Sequence, residues 1–225
     1  GGEGLTKWVR ESNIVKTSIP AWYSHKAEMK LDDSDTLNVQ RKVSLAVGFD
    51  AGGRIENIGF CGVPQKVGET YNFYMFAKSE KPMKLQLIVG NENDICAELE
   101  IHSVEYQCYR ASYTAKKNCK DGKFYLLSPE GGELHIGFIS LMPAETFRGH
   151  GLRRDIAEML ENIHPSFLRF PGGCIVEGFT PSTAMRFKDT VGPVWERPGH
   201  LLMWHYRSFD GMGFHAVSYT HLRAH

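Results

Sequence analysis

The chain has 225 residues, 42% hydrophobic and 23% charged, with 26 Lys plus Arg balanced by 26 Asp plus Glu. That length holds one large domain or two modest ones, and zero net charge argues against the basic excess typical of nucleic-acid binders. No apolar run of about 18 residues is present, so no membrane-spanning helix is expected.

Gly1-Gly2-Glu3-Gly4 has neither the basic nor the apolar region of a signal peptide, which leaves localisation open. From there to about residue 145 the pattern is one of strands. Val43, Leu45, Val47 and Phe49 alternate with polar or small residues, as do Tyr71, Phe73, Met75 and Ala77, then Met83, Leu85, Leu87 and Val89. A period of two sends one set of side chains to a core and the other to water. Residues 95–104, 106–115, 122–128 and 133–142 complete the strand candidates, with turns expected at Gly52-Gly53, Gly68, Gly90-Asn91, Asp121-Gly122 and Gly131-Gly132. Many short strands at near-regular spacing predict a jelly-roll β-sandwich. The five cysteines, Cys61, Cys96, Cys108, Cys119 and Cys174, include no CxxC pair and no His at zinc-ligand spacing. Neither a metal site nor a fully paired disulfide framework is expected, and buried free thiols are the simplest reading.

The pattern changes near Pro143. Leu152, Ile156, Met159 and Leu160 recur at helical spacing, which predicts an amphipathic helix of about three turns ended by His164-Pro165. Phe167-Leu168-Arg169-Phe170 reads as a short apolar strand, stopped by Pro171-Gly172-Gly173. Helix followed by buried strand is α/β grammar, and a strand ending in Pro-Gly-Gly lets the backbone approach a ligand closely. The long loop that follows, to about residue 215, is rich in Arg, Trp, Phe and Asp. In a (β/α)₈ barrel such loops carry the active site.

These residues resemble a known family. Arg169-Phe170-Pro171-Gly172-Gly173-Cys174 followed by Val176-Glu177-Gly178 is similar to the strand-two motif of glycoside hydrolase family 51 α-L-arabinofuranosidases. The run Arg186 to Pro193, then Glu196-Arg197-Pro198-Gly199-His200, Trp204, Asp210-Gly211 and Gly213 continue the likeness in order. Gly151 to Ile156 resembles the helix leading into that strand, and Asn57 to Phe60 and Gly68 to Tyr71 more loosely resemble the family's carbohydrate-binding-module-like domain. The resemblance implies a mainly β chain: a jelly-roll sandwich over 1–145, then an incomplete (β/α)₈ TIM-barrel segment over 146–215 that is poorly stable alone. Residues 216–225 depart from the family pattern, resemble translated sequencing-adapter read-through, and are set aside.

The family cleaves terminal α-L-arabinofuranosyl groups with retention, by two carboxylates that must lie about 5–5.5 Å apart. Its acid/base follows an Asn on the fourth barrel strand and its nucleophile sits on the seventh. Neither strand has a counterpart in this sequence, so no catalytic residue is assigned and residues 1–225 are expected to be inactive. The one Asn-Glu pair, Asn91-Glu92, reads as a turn. By likeness, the substrate-binding candidates are Arg169, Cys174 and Phe187. Arg169 is alternatively a structural ion-pair partner, Cys174 a buried thiol and Phe187 a packing residue. Many relatives carry Trp at the position of Phe187, and Phe keeps an aromatic face but loses the indole donor. Glu177 and Asp189 do not match the catalytic pair, and Asp189 is expected to order its loop. Trp195 and Trp204 read as packing, and His200, His205 and His215 as loop or surface histidines. In the sandwich, Trp8, Trp22, Tyr23, Tyr106 and Tyr109 form either a sugar-stacking surface or packing. The implied partner is an arabinose-containing polysaccharide or oligosaccharide, with no cofactor, metal, nucleic acid or membrane, and a secreted or periplasmic parent. The alternative is a non-catalytic carbohydrate-binding sandwich module.

Overall fold

In this computed structural model the described residues are 19, 21–59, 62–167, 169, 172–202, 207, 208, 210, 211 and 213–215. The period-two segments form strands: β1 (Trp22–Asp32), β2 (Ser44–Asn57), β3 (Thr70–Lys78), β4 (Met83–Gly90), β5 (Ile95–Ile101), β6 (Gln107–Thr114), β7 (Lys123–Ser128) and β8 (Gly132–Pro143). All neighbouring pairs are antiparallel, in the order β5-β4-β7-β2-β8-β3-β6, with β1 on the other edge of β2. The alternation turns Phe73, Met75, Leu85, Leu87, Leu126 and Leu134 into one core, where each is almost wholly buried. Each such side chain removed from water contributes about 1.5–3 kcal/mol.

The sheet becomes a sandwich at β2. Leu45–Phe49 pair with β8, whereas Gly53–Asn57 pair with β7. The intervening Asp50, Ala51 and Gly52 lie where the β7–β8 connection crosses, and the Gly52 N–H donates to Pro129 O at 3.1 Å. β1 follows the bend through a register shift between His25 and Ala27, with Lys26 at a φ of 48°. Strands that change sheet through bulges or bends are the usual device for such corners. Gly52-Gly53 therefore bends one long strand and does not separate two, contrary to the turn expected there. At the far end β5 and β6 lie against each other, and the Tyr109 hydroxyl accepts the N–H groups of His102 and Ser103 in their connection.

The chain divides into two compact units, Gly1–Ala144 and Glu145–His225. The second contains helix α1 (Arg154–Asn162), the short helix α2 (Gly173–Glu177), and 3-10 turns at Phe147–Gly149, Phe187–Thr190 and Val194–Glu196. A two-residue ladder pairs His200–Leu201 with Arg207–Ser208. α1 is held by local charge: Arg154 bonds Glu158 one turn on, Arg153 grips Asp155 and Arg148 pairs with Glu161. Its apolar residues are not covered, since only Ala157 is buried and Met159 is 68% exposed. The expected strand at 167–170 does not appear at its described residues: Phe167 and Arg169 are exposed and outside any ladder. Among the described residues no strand lies beside them, and a parallel strand has no bonds of its own without a neighbour.

Candidate functional site

Gly172 and Gly173 both take positive φ, 80° and 36°, which opens α2 directly after the turn. Cys174, the second residue of α2, carries an exposed free thiol, so the buried-thiol alternative does not hold for it. At the other end of α2, Gly178 (φ 64°) meets the backbone of Thr183, where a Cβ would come within 2.6 Å. Thr183 Oγ1 accepts the N–H groups of Phe179 and Thr180 and closes that turn. Arg169 is exposed.

Phe187 opens a 3-10 turn and is 60% exposed. Its carbonyl accepts the hydroxyl of Thr190 at 2.8 Å, and the same hydroxyl oxygen accepts the Phe214 N–H at 2.9 Å. The two phenyl rings lie 5.8 Å apart, tilted by 54°. Thr190 is itself 1% exposed, and a Cβ on Gly213 would come within 2.2 Å of its carbonyl. Across this junction lies Arg197. Its guanidinium donates twice to Gly192 O, at 3.0 and 2.8 Å, and to the carbonyls of Asp210 at 2.6 Å and Gly211 at 3.0 Å. Burial pulls the Arg197 pKa down, and the Asp210 charge partly restores it. Beside it the His200 ring nitrogen Nδ1 lies 2.8 Å from Asp210 Oδ1, with side chains 8% and 3% exposed. The two groups are close but not aligned for a hydrogen bond, and among the described residues neither His200 ring nitrogen has a hydrogen-bond partner. His200, expected as a loop or helix-surface histidine, stands in the two-residue ladder with its side chain nearly covered. Asp189 is half-buried and shows no side-chain hydrogen bond among the described residues, and the neighbouring Thr190 hydroxyl makes the ties expected of it.

Of the three sequence candidates, Phe187 sits in this knot. Among the described residues no hydrogen bond, ion pair or ring contact joins it to Arg169 or Cys174. Thr190, Arg197, Asp210 and Phe214, which make up this junction, were not among the sequence candidates, although the first three lie inside the family-like motifs. Those three are polar or charged residues among glycines and prolines, the composition of a loop that must tie its own backbone.

In the sandwich, three of the aromatics considered for sugar stacking, Trp22, Tyr106 and Tyr109, make packing contacts or hydrogen bonds within the unit, and Tyr23 is half-buried. Trp22 meets Phe124 edge-on at 6.0 Å, Tyr109 is buried, and the Tyr106 hydroxyl donates to Asp35 O. Trp8 and Trp204 lie outside the described residues, as do Leu168, Phe170, His205 and residues 216–225. On the outer face of β3 and β8, Tyr74 and Phe138 stack at 5.9 Å, with Arg110 over the first ring and Arg41 over the second. Asp32, Asp35 and His135 bring ligand atoms within 4.8 Å of one another, but Lys78 Nζ stands 2.6 Å from Asp35 and supplies a positive charge there. Ser34 holds the Asp32 carboxyl below its ordinary range by hydrogen bonding. Glu92, of the Asn91-Glu92 turn, is gripped by both terminal nitrogens of Arg54 at 3.0 Å, which fits a structural ion pair.

Residues 159–220 match the α-L-arabinofuranosidase 1 domain family, a stretch that takes in the whole Pro-Gly-Gly loop and the knot. Over 218 residues, 90% of its length, the chain is 34% identical to α-L-arabinofuranosidase 1 of Arabidopsis thaliana. The chain is thus similar to α-L-arabinofuranosidases along nine-tenths of its length. It is also 28% identical over 221 residues to an extracellular exo-α-L-arabinofuranosidase of Streptomyces chartreusis. An arabinose-bound family 51 α-L-arabinofuranosidase of known structure superposes with a TM-score of 0.80 over 89% of this chain, at 24% identity, and so shares its fold. The chain spans 32% of the Arabidopsis and 26% of the Streptomyces arabinofuranosidase. The match to the arabinofuranosidase domain runs to residue 220, five residues into the segment set aside in the sequence.

Proposed function

We propose that the protein containing this chain removes terminal, non-reducing α-L-arabinofuranosyl groups from plant polysaccharides with retention of configuration. The observation that carries the reading is the 34% identity to an α-L-arabinofuranosidase over nine-tenths of the chain. The match of residues 159–220 to the arabinofuranosidase domain supports it from the loop itself. In this reading the loop binds and the carboxylates come from elsewhere. Arg169, Cys174 and Phe187 contact the sugar: a guanidinium and a thiol for its hydroxyl groups, and a ring for its apolar face. Within the knot Asp210 lies against His200 and accepts from Ser208, and Glu177 is an exposed and Asp189 a half-buried carboxylate on different turns. None of these is assigned as the nucleophile or the acid/base. The substrate is an arabinose-containing polysaccharide or oligosaccharide, and the protein is secreted, as the Streptomyces relative's name says of that enzyme.

The test is to express the complete open reading frame and assay a nitrophenyl α-L-arabinofuranoside, following the first-formed sugar by proton NMR. Release of arabinose with the α-anomer appearing first is expected, and residues 1–225 alone should give no turnover. Appearance of the β-anomer first would remove the retaining mechanism. Turnover by residues 1–225 would place the carboxylates inside this chain.

A further inference from the structure

Two large aromatic side chains of the second unit stand side by side and open to solvent. Phe187 is 60% and Phe214 43% exposed, and their rings are in contact. Exposed apolar rings are costly in isolation, and a contiguous pair held in place usually has something to meet. Here the pair is held from below. Thr190 Oγ1 bonds the backbone of both residues at once, to Phe187 O and from Phe214 N. Gly213, immediately before Phe214, is pressed against Thr190 O so closely that no side chain fits. Arg197 then fastens the same two segments through Gly192 O on one side and the carbonyls of Asp210 and Gly211 on the other. Four bonds from one guanidinium to three carbonyls, at a half-buried position, fix the spacing of the segments far better than a flexible ammonium could. The polar ties are in the floor and the rings are above them, the arrangement of a platform built to present its surface.

We infer that Phe214 is a sugar-contacting residue that forms one aromatic wall with Phe187, and that Arg197 and Thr190 are positioning residues for that wall. This rests on the proposed function, which already places Phe187 against the sugar. A furanose ring offers an apolar C–H face to such a wall and its hydroxyl groups to polar neighbours. Two tilted rings make a shallow angle that one ring cannot, so Phe214 contributes to selection among sugar shapes and not only to affinity.

The experiment is an NMR titration of residues 1–225, with ¹³C-labelled phenylalanine rings, against methyl α-L-arabinofuranoside. Wild type should show the Phe187 and Phe214 ring signals shifting together along one binding curve. Phe214→Ala should weaken the Phe187 response about tenfold, and methyl β-D-xylopyranoside should shift neither ring. Arg197→Lys should weaken the same curve while the ring signals of Phe73 and Phe124 in the sandwich core stay at their wild-type positions. If Arg197→Lys unfolds the second unit, Thr190→Val, which deletes only the shared hydroxyl, takes its place. Shifts at Phe187 with none at Phe214 would overturn the wall while leaving the subsite reading of Phe187 intact. Shifts elsewhere with none at either ring would overturn both, as would no response at any residue. Undiminished binding by Arg197→Lys or Thr190→Val would overturn the positioning role alone.

Discussion

At the scale of single residues, the sandwich commits several tyrosines to their neutral form. Tyr71 and Tyr113 stack at 5.5 Å on the inner face of β3 and β6, and both are nearly buried. Burial pushes both phenols above the ordinary value of 10.0. Gln65 Nε2 donates to the Tyr113 hydroxyl oxygen at 2.8 Å, a smaller effect in the opposite direction. The sign follows from linkage: below pH 10.0 folded and unfolded tyrosines are both neutral, and the stability they carry is fully present. Above it the unfolded chain loses protons that the folded chain keeps, so stability falls as pH rises toward the folded value. Urea melts of wild type should therefore weaken steadily above that point. Tyr113→Phe should cost about 1 kcal/mol at neutral pH, because Gln65 loses its acceptor. The same variant should lose less on going alkaline. An alkaline slope identical to wild type would mean that Tyr113 is not a source of it. The tyrosines also show where sequence reading stops. Period two placed Tyr71 inside correctly, but nothing in the pattern reveals that Gln65, six residues earlier in a loop, reaches across to Tyr113.

At the scale of elements, seven of the eight strands of the sandwich were legible, three from a period-two alternation and the others as short apolar runs between turn signals. β1 was not. Its inward positions run Ala27 and Met29 after the register shift, and Lys26 at positive φ breaks the period exactly where a reader would count it. The corner in β2 was misread for the same reason, since Gly52-Gly53 is turn chemistry used within a strand. The second unit was legible as motif and opaque as geometry. Arg197 and Asp210 stand in the motifs, yet only folding shows that one guanidinium serves the other's carbonyl. The corner yields a sharp prediction. A Cβ on Gly53 would stand 2.2 Å from Lys26 O and 2.8 Å from Asp50 O, both backbone atoms that cannot swing away. One on Gly48, five residues earlier in the same strand, would meet nothing within 4 Å. Gly53→Ala should destabilise the sandwich by about 1–3 kcal/mol through forced backbone shifts. Gly48→Ala should stay within about 0.5 kcal/mol of wild type. Chemical melts of the two variants measure the difference, and equal stabilities would show that the β1–β2 approach is looser than drawn.

At the scale of the whole molecule, the two units differ in how much apolar surface they cover. The core of the first is complete within Gly1–Ala144: every residue of its cluster, from Val47 to Ile136, belongs to that unit. In the second, α1 leaves Ile156, Met159, Leu160 and Ile163 exposed on a helix otherwise secured by ion pairs, and Phe167 follows at 83% exposure. Surface ion pairs of that kind contribute under about 1 kcal/mol each, whereas apolar area gains about 25 cal/mol per Å² once covered. The balance favours covering the stripe, and in dilute solution the available cover is another copy. Residues 1–225 should self-associate as concentration rises, while residues 1–144 should stay monomeric and keep a cooperative melt. Met159→Lys with Ile163→Lys should suppress the association, because charges on the stripe must be desolvated for it to pack. Sedimentation velocity across a concentration series, paired with thermal melts, reads both effects. A monomeric 1–225, or association undiminished in the double variant, would place the sticky surface elsewhere. Failure of 1–144 to melt cooperatively would show that the sandwich draws stability from the unit that follows it.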